Sequence, residues 1–81
     1  MSQLEKSLKK LLSLPREMRY EELKNLLERF GFTAIEKGSS HITYRKDGYP
    51  NVTIPRHGDI KRTYIKLVRD VIMEVIKNEK E

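Results

Sequence analysis

Cysteine and tryptophan are both missing from the 81 residues. Without thiols there is no disulfide framework and no thiolate zinc site, so an apolar core alone must hold the fold. Without tryptophan, and with 7% aromatics, a stacking platform for single-stranded bases is poorly supplied. Long apolar runs are lacking too. No stretch approaches the ~18 residues of a membrane span. Lysines interrupt Leu4, Leu8, Leu11 and Leu12, which leaves the N-terminus without the apolar segment of a secretory signal. A cytoplasmic protein with no membrane association is the simplest expectation. The sequence also lacks a nucleotide-binding glycine loop, a Ser-His-Asp or Cys-His set and a paired-carboxylate signature, and nothing in it calls for a cofactor. A chain near this size buries only roughly 60% of its unfolded surface, so any site is expected on the surface or in a shallow cleft.

Positive charge is what the chain does have. Seventeen Lys and Arg stand against 12 Asp and Glu, giving +5 and a pI near 9.6. That balance favours a polyanionic partner, nucleic acid first, although a soluble domain can simply be basic. With few stacking aromatics, contacts to phosphate and sugar are expected over base readout.

Apolar spacing divides the chain into six elements. Ser2 suits the cap of a helix over 3–13, with Leu4, Leu8, Leu11 and Leu12 on one face and Pro15 ending it. A second helix over 20–30 carries Leu23, Leu26, Leu27 and Phe30, and Gly31 sits where a left-handed cap wants glycine. Extended runs follow over 32–36, 41–46 and 51–55. Asp47-Gly48-Tyr49-Pro50 is turn chemistry that joins the last two as a hairpin. A helix over 62–78 ends the chain, with Tyr64, Leu67, Val68, Val71 and Val75 on one face and Ile65, Ile72 and Ile76 as a second stripe. Two stripes exceed what one sheet face needs. The N-terminal helix, or a partner chain in self-association through the last helix, is expected to cover the excess. The fold class expected is α+β: two layers, an α-β-β-β-α core in the order of double-stranded-RNA-binding domains, and an extra N-terminal helix. The chain reads as a single domain, 1–81, with 1–18 as a helical extension and 19–78 as the core.

Within this frame, Gly38-Ser39-Ser40 delivers His41 onto the start of a strand. Strand period two puts Ile42 and Tyr44 on one face and His41, Thr43 and Arg45 on the other. For Ile42 and Tyr44 to share the core face with Val52 and Ile54, paired residue numbers must have an even sum. Two registers satisfy this. One sets His41 opposite Pro55 and diagonal to His57, the other opposite His57 itself. Either would gather both histidines at one end of the hairpin, with Arg56, Lys61 and Arg62 nearby.

Histidine titrates near pH 6.5, so such a pair can move protons at neutral pH. It could cleave RNA without metal: one group deprotonates the 2′-OH, which attacks the adjacent phosphorus, and another protonates the leaving 5′-oxygen. Cations and the N–H groups of a glycine turn would stabilise the charge that builds on phosphorus. Blander readings stand beside this one. His41 alone could cap a turn, His57 could be a plain loop residue, and Lys61-Arg62 with Lys66 could be a solvated helix start. A zinc site from His41, His57 and Asp59 is disfavoured by its spacing and by the lack of cysteine.

At these residues the chain resembles the HicA family of toxins, also called YcfA-like. The features, in order, are a leucine-rich helix ending at Gly31-Phe32, then Gly38-Ser39-Ser40-His41, then Ile54-Pro55-Arg56-His57, then a basic approach to the last helix. The resemblance runs from about Tyr20 to Val71. It implies a small mRNA interferase with a double-stranded-RNA-binding-like fold, acting without metal and silenced by a HicB-type antitoxin. It also implies that His41 is the catalytic histidine, that Gly38, Ser39 and Ser40 are the motif turn, and that Pro55 and His57 form the Pro-x-His. Arg45, Arg56, Lys61 and Arg62 are expected RNA contacts by charge and position. The competing readings are a non-catalytic RNA-binding module on the same basic face, and a protein–protein module built on the last helix.

Overall fold

The computed structural model describes residues 2–36, 38 and 40–79. Helix α1, Gln3–Leu12, begins with a reciprocal cap: Glu5 N–H donates to Ser2 Oγ at 3.1 Å, and Ser2 N–H donates to the Glu5 carboxylate at 3.0 Å. Leu11 is fully buried, and Leu4 and Leu8 are partly so. Leu12 instead points outward, 42% exposed. Helix α2, Tyr20–Arg29, buries Leu23, Leu26 and Leu27. It ends as expected: Gly31 has φ +94° and Phe32 N–H reaches back to the Leu27 carbonyl at 2.9 Å.

Strands β2 (Thr33–Ile35), β3 (His41–Arg45) and β4 (Val52–Pro55) form an antiparallel sheet in that order. Ile42 pairs with Ile54 and Tyr44 with Val52, the even-sum phase, and the register is the one that sets His41 opposite Pro55. Ile42, Tyr44, Val52 and Ile54 are buried on one face. On the other face Thr43 and Thr53 hydroxyls meet at 2.9 Å. Tyr44 is 0% exposed and its phenol meets that of Tyr20 at 2.8 Å. Burial pushes the Tyr44 phenol well above its ordinary value, reinforced by the bond to Tyr20 and by the charges of Tyr20, Glu28 and Glu36.

Beyond the three expected strands the chain has two more. Strand β1, Glu17–Arg19, and strand β5, Asp59–Lys61, make a second antiparallel ladder. Each has three residues and one buried apolar side chain, Met18 opposite Ile60, too short a run for period two to register. The flanking partners, Glu17 with Lys61 and Arg19 with Asp59, are of opposite charge. Tyr20 N–H donates to the Gly58 carbonyl at 3.0 Å and extends the ladder. The ladder therefore ties the start of α2 to the start of α3, Arg62–Glu79.

Helix α3 buries Ile65, Val68, Val71, Ile72 and Val75. Helix α1 packs on α2 and α3, and Leu4, Leu8 and Leu11 join the same core as Ile65, Ile72 and Ile76. Leu67 does not join the buried face: it is 51% exposed, and Met73 is 49% exposed. Six residues apart on a 3.6-residue turn, they lie about 120° apart, on separate flanks. No helix among the described residues is long and apolar enough to cross a membrane.

Candidate functional site at the start of strand β3

His41 is the first residue of β3 and is exposed, in the phase opposite Ile42 and Tyr44. Ser40 holds it from two sides. Ser40 Oγ lies 3.2 Å from His41 Nδ1. The Ser40 carbonyl accepts Arg56 N–H at 3.0 Å, which fastens the turn before β3 to the end of β4. Gly38, at φ +75°, takes the left-handed conformation that glycine adopts without strain, with open space where a Cβ would stand. Ser39, the middle of the motif turn, lies outside the described residues.

The residue that sequence reasoning missed is Tyr64. Its ring stands 6.4 Å from the His41 ring, centroid to centroid, tilted by 49°. Helical spacing assigned Tyr64 to the core stripe, yet it is only half-buried, and it turns its ring toward the strand end. Its place two residues after Arg62, at the basic start of α3, was the one available signal.

The cations do not close into one ring around His41. Arg45, four residues along β3, is about 13 Å away at ~3.3 Å per residue and pairs with Asp47 at 3.4 Å. Arg56 pairs with Glu36, the residue after β2. Alternation places Arg56 in phase with Ile54 and Glu36 in phase with Ala34, so this pair spans the sheet on its helix side. His57 leaves the hairpin ladder: β4 ends at Pro55, and His57 is exposed in the bend that leads to β5. Lys61 and Arg62 stand at the start of α3, where they line a cleft of 590 Å³ with Arg16, Glu17 and Thr63. The Arg62 Nε–H there makes a long 3.4 Å bond to the Pro15 carbonyl. His41, His57 and Asp59 do not assemble, and no three His, Asp or Glu side chains among the described residues gather as metal ligands.

Such a site offers an oriented imidazole on an open surface, a hydroxyl on its Nδ1 and an aromatic wall, and the helix that supplies the wall also borders a polar basic cleft. No curated protein and no solved structure matches the chain. The family model of the HicA toxin of bacterial toxin–antitoxin systems matches residues 20–74, from the first turn of α2 into α3 and across the whole hairpin that carries His41, and the chain belongs to that family.

Proposed function

We propose that this toxin is a metal-independent endoribonuclease that cleaves mRNA, with His41 as its single catalytic histidine. The observation that carries this reading is the placement of His41: exposed at the head of β3, with Ser40 on Nδ1 and the Tyr64 ring beside it. In the base role Nδ1–H donates to Ser40 Oγ and the lone pair lies on Nε2. Nε2 then takes the proton of a substrate 2′-OH. The 2′-oxygen bonds to phosphorus, the bond to the 5′-oxygen breaks, and that oxygen takes up a proton. The products are a 2′,3′-cyclic phosphate and a free 5′-OH. Backbone N–H groups of the Gly38 turn and the cations at the start of α3 would bear on the charge that develops at phosphorus. Lys61 and Arg62 are read as backbone contacts rather than as reacting groups.

Membership of the family implies an antitoxin partner; we take it to be of HicB type. An mRNA substrate puts the activity in the cytoplasm. Self-association through α3 is the weaker partner reading, since Leu67 and Met73 lie on separate flanks.

The test is cleavage of a defined RNA by the purified protein in EDTA. Cutting should persist, leave a 2′,3′-cyclic phosphate or its opened form, and stop when the scissile nucleotide carries 2′-deoxyribose. Activity that vanishes in EDTA and returns with a divalent ion would overturn the mechanism. A chain that binds RNA and cuts none would be the non-catalytic module.

A further inference from the structure

Several cations on this surface stand beside carboxylates. Lys10, Lys24, Arg45, Lys46, Arg56, Lys66 and Arg69 each lie within ion-pair distance of an Asp or Glu. The cleft between β1 and the start of α3 differs. Its three cations, Arg16, Lys61 and Arg62, form no ion pair with any described residue. Glu17 is the one carboxylate in the lining, and the first turn of α3 holds no acidic residue. The cleft thus carries three positive charges against one negative.

We infer that this cleft is a binding site for a phosphodiester of the substrate backbone, and that Arg16 completes it. The inference rests on the RNA-cleaving reading above. Arg16 comes from a segment that the family match, starting at residue 20, does not cover. It reaches the cleft because β1 pairs with β5: Glu17 sits opposite Lys61, which brings the residue before β1 to the approach of α3. Two arginine forks and an ammonium around one cleft match the oxygens of a phosphate, which guanidinium groups hold bidentately. Tyr64, whose ring stands by His41, follows Arg62 by two residues, a turn of about 200° around α3, so the two side chains leave the helix on different sides. The phosphate held in the cleft is therefore one that lies away from the scissile bond. The N-terminal segment, on this account, is part of the RNA-binding surface.

The experiment uses the full chain carrying His41→Ala, so that RNA stays intact, and a fluorescently labelled single-stranded RNA titrated at several salt concentrations. Arg16→Ala should weaken binding several-fold at low salt and flatten the log affinity against log salt slope by about 0.7, the value for one released counterion on a single strand. Glu17→Gln should act in the opposite sense and tighten binding. Arg29→Ala, on α2, removes the same charge elsewhere and serves as the comparison. Arg16→Ala and Glu17→Gln both indistinguishable from the Arg29 variant would overturn the site while leaving the RNA reading standing. A parent chain that binds RNA with no salt dependence, or not at all, would overturn both.

Discussion

His41 depends on the residue before it for its orientation. Ser40 Oγ at 3.2 Å fixes one ring nitrogen, and the Ser40 carbonyl anchors the turn to Arg56. A neutral hydrogen bond contributes about 0.5–1.5 kcal/mol net, so Ser40→Ala should slow single-turnover cleavage roughly 2- to 10-fold with the fold intact. An unchanged rate would show that the hydroxyl does not orient the ring. Tyr64 contributes its ring rather than a resolved hydroxyl contact. Tyr64→Phe should therefore cleave at close to the parental rate. Tyr64→Ala should lose up to about tenfold, the scale of an aromatic contact of ~0.5–1.5 kcal/mol. Equal rates for the two variants would remove Tyr64 from the site. His41 was legible in the sequence because a glycine turn leads into period-two alternation. Tyr64 was not, because helical spacing reports that a residue lies on a stripe, and not what stands opposite its end.

Among the elements, the β3–β4 hairpin was readable because Ile42, Tyr44, Val52 and Ile54 all seek one core, which admits only even registers. The choice between the two registers was made by the turn, and it dropped His57 out of the ladder. Strands β1 and β5 carry one buried residue each, so only their tertiary pairing reveals them. The partner of Arg56 was hidden for a similar reason: Glu36 lies across the sheet and is known only once β2 is placed. The buried Tyr44–Tyr20 pair yields a pH prediction. In the unfolded chain the Tyr44 phenol ionises near its ordinary 10.0, while in the fold burial keeps it protonated to higher pH. Its contribution is thus fully present below pH 10 and is lost as pH rises above it, by about 1.4 kcal/mol per pH unit. Denaturant melts between neutral pH and pH 11 should show this loss, and Tyr44→Phe should reduce it. Identical alkaline slopes for parent and variant would contradict the assignment. At the second ladder, Ile60→Ala removes a fully buried side chain and should cost about 2–5 kcal/mol in a chemical melt. A loss under 1 kcal/mol would mean that the β1–β5 pairing carries little of the fold.

For the molecule as a whole, the +5 charge was readable from composition, but its distribution was not. Ion pairs engage Arg45, Arg56 and Lys66 on the sheet rim and along α3, while the β1–α3 cleft gathers three cations that have none with a described residue. The fold class and the family were both legible, because the apolar stripes and the motif around His41 are local in sequence. The central claim is that His41 performs the chemistry. The measurement that tests it most directly is the single-turnover cleavage rate of a defined RNA by His41→Ala against the parent chain, read beside the thermal melts of both. Removing a general acid–base group should slow cleavage at least about 10²-fold. An exposed side chain should leave the melting temperature nearly unchanged. A variant that folds like the parent and cleaves RNA as fast would contradict the account.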